Sequence, residues 1–171
     1  MKNYIFIETP LGKMTLAEEN NYITNIAYGE ITLEASCENE TELLSQAKQQ
    51  LAEYFNGERK EFNLPLKPSG TVFQLSVWKA LTEIPYGKTA SYKTIANKIH
   101  QPCAARAVGM ANNKNPIVIA IPCHRVVGAK GIIKGYGGGV DKLKFLLKLE
   151  NITDVEDFPI KWENTSNETK Q

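Results

Sequence analysis

The chain has 171 residues, 42% hydrophobic and 23% charged, with a net charge of +1, a composition that can bury a core without disulfide or metal staples. No run approaches the roughly 20 apolar residues a membrane span needs, and Met1-Lys2-Asn3-Tyr4-Ile5 is no signal peptide, so a cytoplasmic protein with no membrane partner is expected. Cys37, Cys103 and Cys123 are odd in number, widely spaced and free of any Cys-x-x-Cys pair, which argues against a disulfide framework and a structural zinc site.

The small net charge conceals a segregation. Residues 1–78 carry −5, residues 79–148 carry +10 and residues 149–171 carry −4. A basic block of that size attracts a polyanion at low salt, although a solvated basic face without a partner would show the same count.

In chain order, Tyr4–Ile7, Lys13–Ala17 and Tyr22–Tyr28 read as antiparallel strands separated by Pro10/Gly12 and Asn20-Asn21 turns. Leu44, Ala47, Leu51 and Tyr54 then recur at helical spacing, with Gly57 as the stop. Phe62–Leu66 could add an edge strand, and Lys67-Pro68-Ser69-Gly70 reads as a connector. The period then lengthens to about 3.6 residues. Phe73, Val77, Ala80 and Leu81 share a helix face entered through Thr71 as N-cap. Pro85-Tyr86-Gly87-Lys88 breaks the chain, Ser91 caps the next helix, and Tyr92, Ile95, Ala96 and Ile99 form its apolar stripe. After Pro102, Ala104–Asn112 gives a helix of mostly small residues around Arg106. The pair suggests a helix-turn-helix, and an αα-hairpin inside a core would look similar. The expected organisation is an α/β domain over residues 1–66, a small antiparallel sheet plus helix, then a mostly helical domain over 67–151 and a polar acidic tail over 152–171.

Candidate chemistry concentrates late in the chain. Ile117–Ile121 reads as a short buried strand or extended segment ending at Pro122-Cys123-His124-Arg125. An adjacent imidazole and the cations Arg125 and Lys130 are expected to lower the Cys123 pKa. The two side chains can meet only if the backbone turns between them, and a buried cysteine is often just a small core residue. Cys37 and Cys103 lack such a setting and are read as inert. Gly128, Gly131, Gly135, Gly137, Gly138 and Gly139 crowd around Tyr136, which suits a flat ligand against backbone or a merely tight connection. Leu143, Leu146, Leu147 and Glu150 continue one helical stripe. A carboxylate in a core-facing position at a helix C-terminus is opposed by burial and by the dipole. A partner such as His124 would explain it, and so would a frayed, solvated end.

Ile121-Pro122-Cys123-His124-Arg125-Val126-Val127-Gly128, with Asn115-Pro116 upstream and Gly135-Tyr136-Gly137-Gly138-Gly139 downstream, closely resembles the active-site signature of the O6-alkylguanine-DNA alkyltransferases. Pro85–Lys88, Ser91-Tyr92 and Arg106-Ala107-Val108-Gly109 fall in family order, so the resemblance runs from about Phe73 to Glu150. It implies a winged-helix-like DNA-binding domain, double-stranded DNA containing O6-alkylguanine as partner, base flipping, a monomer and no metal or cofactor. By the same resemblance Cys123 accepts the alkyl group, a methyl or larger, in a single irreversible turnover, from O6-alkylguanine and also O4-alkylthymine. His124 deprotonates it through a water, Glu150 orients His124, and Asn115 links the DNA-binding helix to the active-site segment. Tyr92 assists nucleotide rotation and donates to the leaving guanine. Arg106, Ala107 and Arg125 are assigned to DNA, with Arg106 filling the gap left by the extruded nucleotide; Tyr92, Val126, Tyr136 and Gly137 are assigned to the base. Gly137 and Lys134 depart from commoner family patterns, and a protein without a zinc-cysteine regulatory domain is expected. A non-catalytic binder of alkylated DNA, or a thiol hydrolase using Cys123 and His124, are the alternative readings.

Overall fold

The computed structural model describes residues 1–128 and 136–152. Lys130, Gly131, Lys134, Gly135 and the tail beyond Ile152 lie outside the described residues. The chain forms two compact units, Met1–Ser69 with Pro116–Ala120, and Gly70–Asn115 with the chain from Ile121 onward.

The first unit contains strands β1 (Lys2–Thr9), β2 (Gly12–Glu19), β3 (Tyr22–Tyr28) and β4 (Ser36–Glu38), and helix α1 (Glu42–Phe55). β1 and β2 are antiparallel with Ile5 opposite Leu16, and β2 and β3 are antiparallel with Leu16 opposite Ile26. The β2–β3 turn places both Asn20 and Asn21 at positive φ, a conformation asparagine tolerates and hairpin twist favours. β4 pairs parallel to β1, so the sheet is mixed, in the order β3-β2-β1-β4, rather than purely antiparallel. Thr41 caps α1 by accepting from the Leu44 N–H, and the helix buries Leu43, Leu44, Ala47, Leu51 and Tyr54. Each large side chain so buried contributes about 1.5–3 kcal/mol.

Neither strand expected beyond the first three forms as one. Residues near Leu66 make a single parallel bridge to Ile23, with Ile23 N–H donating to Pro65 O and Lys67 N–H to Ile23 O. Ile117 makes a single bridge to Ile26, with Ile26 N–H donating to Pro116 O. Both pieces lie along β3, and each follows a proline that has no N–H to extend the ladder. Ile119 then sits at φ +72° while Ala120 N–H donates to Val118 O, a γ-turn of the rarer hand that is costly for a β-branched residue. Ile117–Ile121 is therefore a bridge followed by a turn, not a strand.

The second unit contains helices α2 (Val72–Leu81), α3 (Tyr92–Lys98), α4 (Ala105–Asn113) and α5 (Val140–Leu149), a 3-10 turn at Cys123–Arg125, and strands β5 (Ala90–Ser91) and β6 (Val126–Val127) paired in parallel. Thr71 and Gln74 form a reciprocal capping box on α2, and Ser91 caps α3 through the Thr94 N–H, each cap worth about 1 kcal/mol. Val77, Trp78, Leu81, Ile95, Ala96, Val108 and Ala111 are buried. The buried Trp78 indole donates to Ala111 O at 2.8 Å, tying α2 to α4. Gly70 lies so close under Trp78 that an added Cβ would fall 2.6 Å from the ring. Val127, Leu143, Leu147 and Ile152 form a further cluster, with Tyr136 packed against it. No helix among the described residues is long and apolar enough to cross a membrane.

Candidate active site

The chain enters the site through a second tight turn. Cys123 N–H donates to Ile121 O at 2.8 Å around Pro122, whose φ of −80° and ψ of 67° describe an inverse γ-turn. The 3-10 turn begins at once and brings Cys123, His124 and Arg125 inward together, all buried. This is the sharp turn that adjacent cysteine and histidine require. Two asparagines hold it: Asn115 Nδ2 donates to Ile121 O at 2.8 Å, and Asn112 Nδ2, from the last turn of α4, donates to Cys123 O at 3.2 Å.

Glu150 is the C-cap of α5 and is buried, not frayed. Its Oε2 lies 2.7 Å from His124 Nε2. Arg125 Nε donates to Oε1 at 2.8 Å and Nη2 to Oε2 at 3.0 Å. The Gly87 N–H adds a fourth bond to Oε1 at 3.1 Å. Burial alone would raise the carboxyl's pKa, but the bonds and charges of His124 and Arg125 hold it well below the usual carboxylate range.

An ionised carboxylate only accepts, so His124 Nε2 must carry a hydrogen, and the lone pair of a neutral ring sits on Nδ1. Nδ1 is buried without a hydrogen-bond partner among the described residues. Burial pushes the imidazole below the ordinary histidine range, against the pull of Glu150. His124 is thus a neutral base with its acceptor nitrogen unengaged by protein.

The thiol departs from its sequence expectation. Burial pushes the Cys123 pKa up, and hydrogen bonds from Asn115, Tyr136 and the local backbone only partly draw it back. Cys123 therefore rests as a thiol, with Sγ 3.8 Å from the Tyr136 hydroxyl. Cys37 and Cys103 are exposed.

Tyr92 opens α3 and is buried, its pKa pushed up to about 12, first by burial and then by neighbouring Cys123. It keeps its proton at neutral pH and can serve as a donor. Gly109 of α4 faces it, and an added Cβ would lie at ordinary contact distance, 3.4 Å, from the Tyr92 ring. On the outer face of α4, Arg106 and Ala107 are exposed while Ala105, Val108, Ala111 and Asn112 are buried. Gly137 is exposed, and an added Cβ there would crowd Asn113 O at 3.1 Å. The Val126 N–H closes the 3-10 turn on Cys123 O.

Arg125, which the resemblance assigns to DNA, turns into the protein. It is buried, both ends of its guanidinium edge engage Glu150, and its remaining nitrogen donates to Ile84 O at 2.7 Å. Its sequence position two residues after Cys123 gives no hint of a partner 25 residues downstream. Asn112 also escaped the sequence reading. The available signal was a polar residue among the small buried positions of α4, one turn before Asn115.

Residues 72–152 match the family model for the DNA binding domain of 6-O-methylguanine DNA methyltransferase, and residues 2–68 match the model for its ribonuclease-like domain. The chain is 50% identical over 152 residues to a methylated-DNA–protein-cysteine methyltransferase of Methanosarcina acetivorans, covering 86% of this chain and 97% of the relative. It is 45% identical over 164 residues to the constitutive enzyme of that name from Bacillus subtilis, covering 91% and 99%. Its fold is similar to the crystal structure of Mycobacterium tuberculosis O6-methylguanine methyltransferase, with a TM-score of 0.79, 47% identity and coverage of 88% and 93%. A structure of Mycobacterium tuberculosis OGT in complex with DNA gives a TM-score of 0.81, 46% identity and coverage of 86% and 92%. With both models matched and relatives up to 50% identical covered almost end to end, the chain belongs to the 6-O-methylguanine DNA methyltransferase family.

Proposed function

We propose that this protein repairs double-stranded DNA in the cytoplasm as a monomer, moving the alkyl group of O6-alkylguanine, and of O4-alkylthymine, onto Cys123 in one irreversible turnover. The observation that carries this is the buried series Cys123, His124 and Glu150, in which a resting thiol adjoins a neutral base backed by a carboxylate. The sulfur proton passes through a water to His124 Nδ1, and Glu150 stabilises the imidazolium formed. The S–C bond forms as the bond from the alkyl carbon to O6 breaks. The electron pair stays on guanine, which takes up a proton, so the overall change exchanges thiol hydrogen for alkyl.

Tyr92 donates to the departing base and disperses its developing negative charge. Val126 offers its carbonyl to the base edge, because its N–H is already used, while Gly137 and Tyr136 line the base. The exposed face of α4 enters the minor groove with Arg106 filling the stack, since the alkylated oxygen is out of reach unless the nucleotide is flipped. Small residues at Ala104 and Ala107 let that helix come close. Asn115 holds the acceptor segment, and the sequence divides into an α/β domain over 1–66 and the alkyl-transfer domain over 67–151. The +10 charge of residues 79–148 favours a polyanionic partner.

Duplex carrying a labelled methyl group on guanine O6 tests the reading. One equivalent of label should transfer in a single burst. Turnover beyond one equivalent would indicate a hydrolase, and tight binding without transfer would indicate a lesion binder.

A further inference from the structure

The motif Pro85-Tyr86-Gly87-Lys88 has no role in the chemistry above, and Arg125 gives its guanidinium to protein groups. The two belong together. Ile84 O accepts from Arg125 Nη1 at 2.7 Å, the Tyr86 ring lies 5.6 Å beneath the guanidinium, and Gly87, at φ +80°, donates its N–H to Glu150 Oε1. The Tyr86 hydroxyl donates to Leu149 O at 3.3 Å, fixing the turn to the end of α5.

We propose that Arg125, seated on the 84–87 turn, is a positioning residue that gives Glu150 a permanent positive partner, so that His124 rests unprotonated with its Nδ1 lone pair available. The inference rests on the reading of Cys123 as alkyl acceptor. A buried carboxylate needs a compensating positive charge. Among the described residues, His124 and Arg125 touch Glu150 closely enough to supply one. Were His124 the sole partner, the pair would take up a proton; carried on the imidazole, it would occupy Nδ1 and remove the base. Arginine stays charged at every relevant pH, and its two parallel bonds match carboxylate geometry. Arg125 therefore neutralises Glu150 without drawing a proton from solution, and leaves the carboxylate able to steady His124 once the thiol proton arrives.

Among the described residues, the other titratable groups on the elements packed against this pair are as follows. Cys123 shares the 3-10 turn and Tyr86 lies across it, its pKa raised chiefly by burial. α2 packs against the turn and carries only Lys79, which is exposed. α5 carries Asp141, Lys142, Lys144 and Lys148, none of them buried.

The test is the pH profile of single-turnover methyl transfer by the full chain and its Arg125→Gln and Arg125→Lys variants. In R125Q the pair binds an extra proton, so the acidic limb should move to higher pH. At pH 7 transfer should slow by about tenfold for each unit of that movement, recovering in alkaline buffer. R125K keeps the charge, so its limb should stay at the parent's position even if its plateau falls. A uniform loss at every pH, or limbs that move together in the two variants, would overturn the proposal. Should R125Q fail to fold, nitrogen NMR of the two histidines in the parent decides. His124 at neutral pH should show a protonated Nε2 and a bare Nδ1, and an imidazolium signature would refute the idea. Absence of any methyl on Cys123 in the parent would instead sink the underlying reading, independently of that spectrum.

Discussion

Replacing Glu150 by glutamine keeps the size and shape of the side chain while removing its charge. In the parent, His124, both edge nitrogens of Arg125 and Gly87 N–H direct hydrogens at the two carboxylate oxygens. An amide has one acceptor oxygen, so either orientation turns an NH2 toward groups that donate. With the oxygen toward His124, the amide nitrogen faces Gly87 N–H and Arg125 Nε. With the orientation reversed, His124 can accept at Nε2 only by moving its hydrogen to Nδ1, which removes the base. Arg125 is left charged and buried in both cases. Breaking one side of a buried ion pair costs about 3–5 kcal/mol. At roughly 2–4 °C per kcal/mol for a chain of this size, melting should fall by about 6–20 °C. Loss of a supported general base should slow transfer by about 10²-fold or more. The stability difference also has a pH signature. A carboxyl held below its ordinary value of 4.5 stabilises fully above that pH, and its advantage over E150Q should shrink as the pH falls below it. Thermal melts across pH, paired with quenched-flow transfer from a lesion-bearing duplex, measure both quantities. Parent-like transfer with an unchanged melting curve would refute the assignment of Glu150 and the electrostatic account built on it.

Asn112→Ala removes the bond to Cys123 O but also a buried oxygen without a partner among the described residues. Stability should fall by only about 1–2 kcal/mol, while transfer slows severalfold, and by as much as about 10²-fold if the thiol shifts by 1 Å; an unaltered transfer rate would remove Asn112 from the site. Arg106 is exposed on α4, so Arg106→Ala should alter stability by no more than about 0.5 kcal/mol. It should slow transfer from duplex and reduce the salt slope of binding by about one. Equal transfer rates for parent and R106A would contradict its place in the groove.

Features encoded within a few residues were legible in the sequence. The stripe Leu44, Ala47, Leu51 and Tyr54 is fully buried in α1, and the caps Thr71 and Ser91 accept the bonds their positions imply. Glu150 continues its helical stripe into the core, where a frayed end would not have gone. Features decided by distant chain were not legible. β4 is three residues long and pairs parallel to β1, with too little pattern to announce itself. Ile117–Ile121 has strand composition, yet turns at Ile119 and Pro122 interrupt it, and residue type alone does not reveal positive φ at an isoleucine. Sequence neighbours also misled about charge. Arg125 shares the thiol's turn but gives its guanidinium to Glu150, so burial, not that cation, governs the Cys123 pKa.

Mapping the modified residue after reaction tests the central claim most directly. Parent protein and Cys123→Ala should each be mixed with duplex containing O6-methylguanine, digested and examined by peptide mass spectrometry. The account predicts one added methyl group, confined to Cys123 in the parent and absent from C123A. A methyl on exposed Cys37 or Cys103, on His124, or on C123A at the parent's level would contradict it.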